Sequence, residues 1–354
     1  MTTAKVFDGH NDFLLRLLRN PGNRETTFLT DTSQGHLDLP RMRQGGFAGG
    51  FFAIYISSPA PAPETNLMAQ MNNPPYALPL PEEVPLSEAQ PVALAMAGHL
   101  KWMERASNGQ FKICRTSAEL RHCLDHDIIA AIMHIEGAEA IGPDLDALYL
   151  FHDMGLRSLG PVWSRPTAFG HGVPFAFPAS PDSGPGLTAA GKDLLRLCNR
   201  MGILFDLSHL NEAGFNDVAA LSDAPLVATH SNAHAIAPSS RNLTDRQLGM
   251  IRDSDGMVGV NFATGFLNAD GRKTSDQGFD AVLRHLDHLI TQLGEDRVGF
   301  GSDFDGAEVP AKLKDAAGLP ALCDALRAHG YDETLLAKIC HENWIAVLER
   351  TWRN

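Results

Sequence analysis

Ile203-Leu204-Phe205-Asp206-Leu207, then Asn211-Glu212-Ala213-Gly214-Phe215-Asn216-Asp217-Val218-Ala219-Ala220-Leu221, then Leu226-Val227-Ala228-Thr229: three segments of a 354-residue chain that decide its fold class. The first and third are short and almost continuously apolar, the pattern of strands buried on both faces rather than on one. The middle segment opens on a capping residue, Asn211 before Glu212, and spaces its apolar residues as an amphipathic helix does. A buried strand, a helix and another buried strand make one parallel unit.

The same unit recurs outward in both directions. Strands are predicted at Val6–His10, Gly50–Ile56, Ile128–Ile135, Arg157–Val162, Ile203–Leu207, Leu226–Thr229, Met257–Phe262 and Val298–Gly301. Helices are predicted at Thr188–Met201, Asn211–Leu221, Thr244–Arg252 and Phe279–Leu293, with a closing amphipathic helix over Glu333–Arg350. Eight such strands predict a single α/β domain over 1–354, a (β/α)₈ TIM-type barrel. A doubly wound nucleotide-binding sheet is the rival, but no Gly-x-Gly-x-x-Gly follows an early strand. One stretch interrupts the rhythm. Residues 57–91 carry nine prolines, Pro59 to Pro91, and are predicted to be an irregular loop inserted after the second strand. On a barrel that loop would sit over the catalytic mouth, as a substrate cover or a dimer contact.

Composition narrows the function classes. The chain is 44% hydrophobic and 20% charged, with 42 acidic against 29 basic residues and a formal charge of −13. No cluster of Lys and Arg stands out, which argues against nucleic acid or an anionic membrane as partner. No apolar run is long enough to span a bilayer, and the opening residues lack a signal-peptide pattern, so a cytoplasmic location is expected. The five cysteines, Cys114, Cys123, Cys198, Cys323 and Cys340, are odd in number and contain no Cys-x-x-Cys. They read as buried free thiols, which leaves His and carboxylate as the ligands for any metal.

On a parallel barrel the chemistry comes from the C-terminal ends of the strands. Those ends carry His10 and Asp12, two residues apart and on one face of the first strand, then Glu136, His209, His230 and Asp303. Imidazole and carboxylate oxygen suit zinc, and manganese or cobalt accept the same donors. Glu136, with two oxygens, is the natural bridge between an ion held by His10 and Asp12 and a second held by His209 and His230. Two ions so placed activate a water and polarise a carbonyl, with Asp303 left to carry the proton. Of the remaining histidines, His134 is read as a supporting or buried residue, and His285 among others as surface. His171 is kept as a substrate-loop residue.

The chain resembles the membrane (renal) dipeptidase family of the amidohydrolase superfamily. The resemblance rests on Asp8-Gly9-His10-Asn11-Asp12, His134-Ile135-Glu136-Gly137, Asp206-Leu207-Ser208-His209, Thr229-His230-Ser231-Asn232, Ser240-Arg241-Asn242-Leu243 and Gly301-Ser302-Asp303-Phe304-Asp305-Gly306, in the family's order. It implies a two-zinc barrel that hydrolyses dipeptides, often with a D-residue on the C-terminal side, and a homodimer. It also implies that Arg241 binds the substrate's terminal carboxylate, a role that suits the guanidinium fork. One position departs from the pattern. Trp163 aligns where mammalian members carry a substrate-contacting histidine, so Trp163, Arg165 or His171 is expected to take over that contact. Within the same fold, hydrolysis of an N-acyl amino acid or a lactam is the alternative activity. A non-catalytic binding barrel is the alternative of another class.

Overall fold

The computed structural model describes residues 4–30, 33–58, 67–274 and 278–352. Among these residues eight parallel strands form the barrel: β1 (Val6–Asn11), β2 (Phe47–Tyr55), β3 (Ile129–Glu136), β4 (Leu156–Gly160), β5 (Leu204–Phe205), β6 (Val227–Ala228), β7 (Met257–Asn261) and β8 (Val298–Gly301). They pair in chain order, and β8 returns to β1 through Asp8 and Phe300. The remaining seam, between β5 and β6, is closed by a parallel bridge from Asp206 to Val227 and by Leu207 N–H donating to Val227 O at 2.9 Å. Strand positions agree with the sequence reading to within a few residues, and β8 agrees at both ends.

The helices form where the capping residues were read. Thr188, Asn211 and Thr244 each accept a backbone N–H from the first turn, and Thr244 completes a reciprocal capping box with Gln247. The closing segment is helical from Glu333 to Thr351, with a π turn over Lys338–Glu342. That turn delivers Trp344 to the closed end of the barrel, where its indole N–H donates to Phe300 O at 2.9 Å.

The Pro-rich stretch corrects the sequence reading in part. Leu86–Ala106 is a helix, and Pro91 lies inside it. Proline there removes one backbone donor early in a long helix. Ala89, Ala93, Met96, Ala97, Leu100 and Met103 bury against the barrel and outweigh that loss. Earlier in the stretch, residues 59–66 lie outside the described residues. Then Leu67–Asn72 makes a 3₁₀ turn, and Tyr76–Ala77 pairs antiparallel with Ala176–Phe177 from the loop after β4. Met71, Tyr76 and Leu78 pack there with Phe175, Phe177, Ala263 and Phe266. A segment too rich in proline to join the barrel sheet is thus seated over the barrel mouth by its own small sheet and apolar cluster.

Candidate active site and metal centre

Each candidate ligand reaches the mouth because its strand ends there. His10 is the fifth residue of β1 and wholly buried, and Glu136 is the last residue of β3. His10 Nε2 lies 3.5 Å from Asp12 Oδ2 and 3.6 Å from Glu136 Oε2. The other oxygen, Glu136 Oε1, lies 3.1 Å from His209 Nε2 and 3.4 Å from His230 Nε2. Those two imidazole nitrogens are 3.2 Å apart. One carboxylate therefore faces two donor sets, one with each oxygen.

Hydrogen bonding on the far side of the rings says which nitrogens carry lone pairs. Thr229 Oγ1 is 2.6 Å from Asp206 Oδ2 and 2.9 Å from His230 Nδ1. A carboxylate only accepts, so the hydroxyl proton goes to Asp206, and His230 Nδ1 must donate its N–H to Oγ1. Nε2 of His230 is then a bare acceptor. Ser164 Oγ, 2.8 Å from His209 Nδ1, gives His209 the same option. Burial, aided by the Arg241 and His10 charges, drives both imidazoles well below their usual range, so both are neutral.

When His209 gives its Nδ1–H to Ser164 Oγ, two neutral acceptor nitrogens and a carboxylate oxygen lie within 3.4 Å of one another and cannot hydrogen-bond to each other. A cation between them satisfies all three. The other corner carries the same signature. Both nitrogens of His10 and Oδ1 of Asp12 are buried without hydrogen-bond partners among the described residues. His10, Glu136 and His230, and also His10, Asp12 and Asp303, each bring donor atoms within 4.8 Å of one another. Burial opposes charge on His10, yet the carboxylates of Glu136, Asp12 and Asp303 outweigh it and push the imidazole up to about 10. Burial pushes Glu136 up to about 8. So much buried negative potential is what a divalent ion neutralises. The residues present fit a metal centre.

Asp303 sits at the rim of this centre with a left-handed backbone, φ 59°. Its Oδ2 accepts from Asn261 Nδ2 at 3.0 Å. Gly306 closes the turn against the same groups: a Cβ there would lie 2.1 Å from Asp12 Oδ2 and 2.5 Å from Asp303 Oδ1. Only glycine leaves these carboxylates room. In the loop after β6, Arg241 is buried, donates to Ser231 Oγ and His230 O at 2.8 Å each, and leaves Nε unpartnered among the described residues. Among the described residues it makes no ion pair within 4 Å, and burial pushes it down to about 10. A buried guanidinium without a carboxylate partner is a ready anion site.

Asp12, Glu136, His209 and Asp303 line a cavity of about 430 Å³, a size suited to a small ligand. Tyr55, Trp163, Phe175 and Phe266 form its apolar sides, and Leu78 and Pro79 of the Pro-rich segment join them. Trp163 packs edge-on to Tyr55 and Phe175 at 5.2 and 5.5 Å and lies 5.8 Å from the His209 ring. The other two residues of its loop lie elsewhere. Arg165 is wholly buried behind the cavity, donating to Glu139 Oε1 at 2.6 Å, to Ser58 Oγ at 2.8 Å and to Ile56 O. Its charge is committed to that buried ion pair, so it braces the loops and makes no cavity wall. His171 turns its Nδ1 towards Gly186 O at 3.4 Å and is likewise absent from the lining. His285 is buried rather than on the surface, accepting from Ala233 N–H and paired with Leu267 O.

Several supporting residues escaped the sequence reading: Ser164, Thr229, Asp206 and Asn261. Asp206 and Thr229 stand beside ligands in the motifs, but only the crossing of β5 and β6 shows that they hold the His230 ring. Asp8, two residues before His10, ties β1 to β8 by accepting from Ser302 N–H and Oγ at 2.6 and 2.8 Å.

The model of the membrane dipeptidase family (peptidase family M19) matches residues 1–353. The chain belongs to this family. It is accordingly a metal-dependent dipeptidase built on the family's barrel. A metallopeptidase from Rhodobacter sphaeroides, crystallised with a phosphinate mimic of the dipeptide L-Ala-D-Ala, is 68% identical with a TM-score of 0.98, over 99% of this chain and all of that one. A second solved metallopeptidase, dipeptidase AC, is 67% identical with a TM-score of 0.97, over the whole of both chains. A Klebsiella pneumoniae protein from the pqqA 5′ region is 48% identical over 254 residues, 72% of this chain and 94% of its own length. No helix among the described residues is long and apolar enough to cross a membrane.

Proposed function

We propose that this dipeptidase works with two divalent ions, zinc by the nature of the donors, one held by His10, Asp12 and Glu136 and one by Glu136, His209 and His230. The carrying observation is the split of Glu136, whose two oxygens face two separate sets of acceptor atoms. Bound there, the ions supply polarisation of the scissile carbonyl and acidification of a water. The chain supplies the rest. Thr229, and Ser164 through its contact with His209, hold the imidazoles with Nε2 forward, the orienting role that hydrogen bonds behind metal ligands play. Asp303, aimed into the cavity, takes the proton lost on attack and returns it to the leaving amine. Arg241 does not itself line the cavity, and we assign it the terminal carboxylate because its buried charge has no carboxylate partner among the described residues. The aromatic sides around Trp163 exclude bulk water.

The R. sphaeroides neighbour's L-Ala-D-Ala mimic supports a D-residue at the C-terminal position as the substrate class here. A reducing cytoplasm is the compartment we assign, a reading supported by five cysteines that are all free and buried. The test combines metal analysis with a substrate panel. Purified protein should hold two equivalents of metal, Glu136→Ala should hold fewer, and L-Ala-D-Ala should be cleaved faster than N-acetyl-D-Ala. A single equivalent in the intact protein, or equal rates on the two substrates, overturns the reading.

A further inference from the structure

We propose that Asn261 is a positioning residue for the reaction: it pins one oxygen of Asp303 so that the other alone exchanges protons at the metal centre. The inference rests on Asp303 being the proton carrier, as read above.

A carboxylate rotates broadly about its last bond, so an unrestrained aspartate presents either oxygen in many directions. Asp303 is not unrestrained. Its left-handed backbone, with Asp303 N–H donating to His10 O at 3.0 Å, sets where the side chain leaves the main chain. Asn261 sits on the neighbouring strand, paired in register with Gly301, two residues before Asp303. From there its Nδ2 meets Asp303 Oδ2 at 3.0 Å.

The direction of that bond follows from the surroundings. Asn261 Oδ1 accepts the Ala263 backbone N–H at 2.6 Å. Reversing the amide would set an NH₂ against that N–H, donor against donor, and a carbonyl oxygen against the carboxylate, acceptor against acceptor. The amide therefore has one orientation. Asn232 clamps the backbone beneath it, accepting from Asn261 N–H at 3.1 Å and donating to Asn261 O at 2.9 Å. Both asparagines are buried. The amide is thus a rigid donor, fixed before any substrate arrives.

The unpinned oxygen points where the chemistry is. A Cβ on Gly306 would touch Asp303 Oδ1 and Asp12 Oδ2 together, so these two oxygens share the face around Gly306. Asp303 Oδ1 is therefore the oxygen on the side of Asp12. Holding one oxygen while freeing the other turns a rotating carboxylate into a carrier of fixed reach, which is how a general acid–base group gains from orientation.

Three variants and one cycle test this. Asn261→Ala should lower kcat on L-Ala-D-Ala about 10- to 100-fold, with KM within about twofold and bound metal unchanged. Asn261→Asp keeps the shape but replaces the donor with an acceptor, and should fall at least as far; a space-filling role predicts wild-type turnover for it. Asn261→Ser, which restores a hydroxyl donor, should recover part of the loss seen with alanine and covers the case in which alanine fails to fold. Calorimetric binding of a phosphinate dipeptide mimic needs no turnover and completes the cycle. Asn261→Ala should weaken that binding in the wild-type background and leave it unchanged in Asp303→Ala. If Asp303→Ala loses activity while Asn261→Asp keeps wild-type kcat, or if the mimic cycle shows equal effects in both backgrounds, the role of Asn261 is overturned and that of Asp303 stands. If Asp303→Ala itself keeps its kcat, the reading of Asp303 is what fails.

Discussion

Thr229→Val offers the sharpest test of how the centre is held. Valine matches threonine in shape, so the barrel keeps its packing and only a hydroxyl is lost. That hydroxyl is the 2.6 Å donor to Asp206 Oδ2 and the 2.9 Å acceptor for His230 Nδ1–H. Asp206 Oδ1 keeps its two backbone donors, Thr229 N–H and Ser208 N–H, whereas Oδ2 has no other hydrogen bond among the described residues. Losing a bond to a buried charged acceptor costs about 1.5–3 kcal/mol, and leaving the Nδ1–H unpartnered costs about 1–3 kcal/mol more. Together these remove a large part of the roughly 5–15 kcal/mol that holds a typical domain together. The second effect is specific to the metal. Without Oγ1 the His230 proton is free to move to Nε2, the nitrogen that must be bare. A loss of about 10- to 100-fold in metal affinity follows, as for other residues that orient ligands. Chelator competition measures the affinity, and urea denaturation of metal-free protein measures the stability. Metal affinity within twofold of wild type, in a variant that is measurably less stable, would refute the assignment of the tautomer and with it the argument for a cation at His209 and His230.

Three further outcomes are expected. Gly306→Ala should abolish turnover with the fold retained, because the new methyl would lie 2.1 Å from Asp12 Oδ2 and 2.5 Å from Asp303 Oδ1; circular dichroism and metal analysis check the fold and the site. Arg241→Met should raise KM for dipeptides about 100-fold, equivalent to roughly 3 kcal/mol, while leaving KM for dipeptide amides, which lack the carboxylate, within about twofold; steady-state kinetics on the paired substrates decides it. The third concerns pH. Burial pushes His285 down to about 4 from an ordinary 6.5, so above pH 6.5 neither folded nor unfolded chain is charged there and the group adds no pH dependence. Below 6.5 the unfolded state takes up a proton that the native state refuses, and stability falls by about 1.4 kcal/mol per pH unit down to about pH 4. His285→Gln should be less stable at pH 7, yet its urea midpoint should fall less steeply between pH 6.5 and 4.5, and an unchanged slope refutes the assignment.

Much of this was legible in one dimension because periodicity and strand ends are local. Buried parallel strands show as short apolar runs, and their C-terminal ends reveal the candidate ligands whatever the intervening helices do. Boundaries were less legible. The start of β2 was read at Gly50 and lies at Phe47, since Gly49 and Gly50 depress strand propensity. The structure puts them in the strand by pairing them with Phe7 and Asp8 on one side and Ala130 and Ala131 on the other. Glycine is required at 49 because a Cβ there would lie 2.4 Å from Ala130 O and 2.7 Å from the Phe7 ring. Pro91 misled for the same reason, its local cost being outweighed by a buried helix face that no local rule sees.

The candidate site divides along that line. Arg165 and His171 share a loop with Trp163 and carry equally suggestive side chains, yet Trp163 lines the cavity while Arg165 turns back to Glu139. Side chains in an irregular loop follow no period, so nothing in the sequence foretold which would face inward.

The sequence by itself determined the barrel, the order of its strands and the identity of the atoms that gather at its mouth. Those follow from hydrophobic burial and from the two-residue period of a strand, which are properties of neighbours along the chain. Only the tertiary structure decided the direction of each donor: that Thr229 faces His230, that Asn261 faces Asp303, and that Glu136 turns one oxygen to His10 and the other to His209 and His230. A hydrogen bond depends on distances of a few tenths of an ångström and on angle, and those are set where separate strands meet.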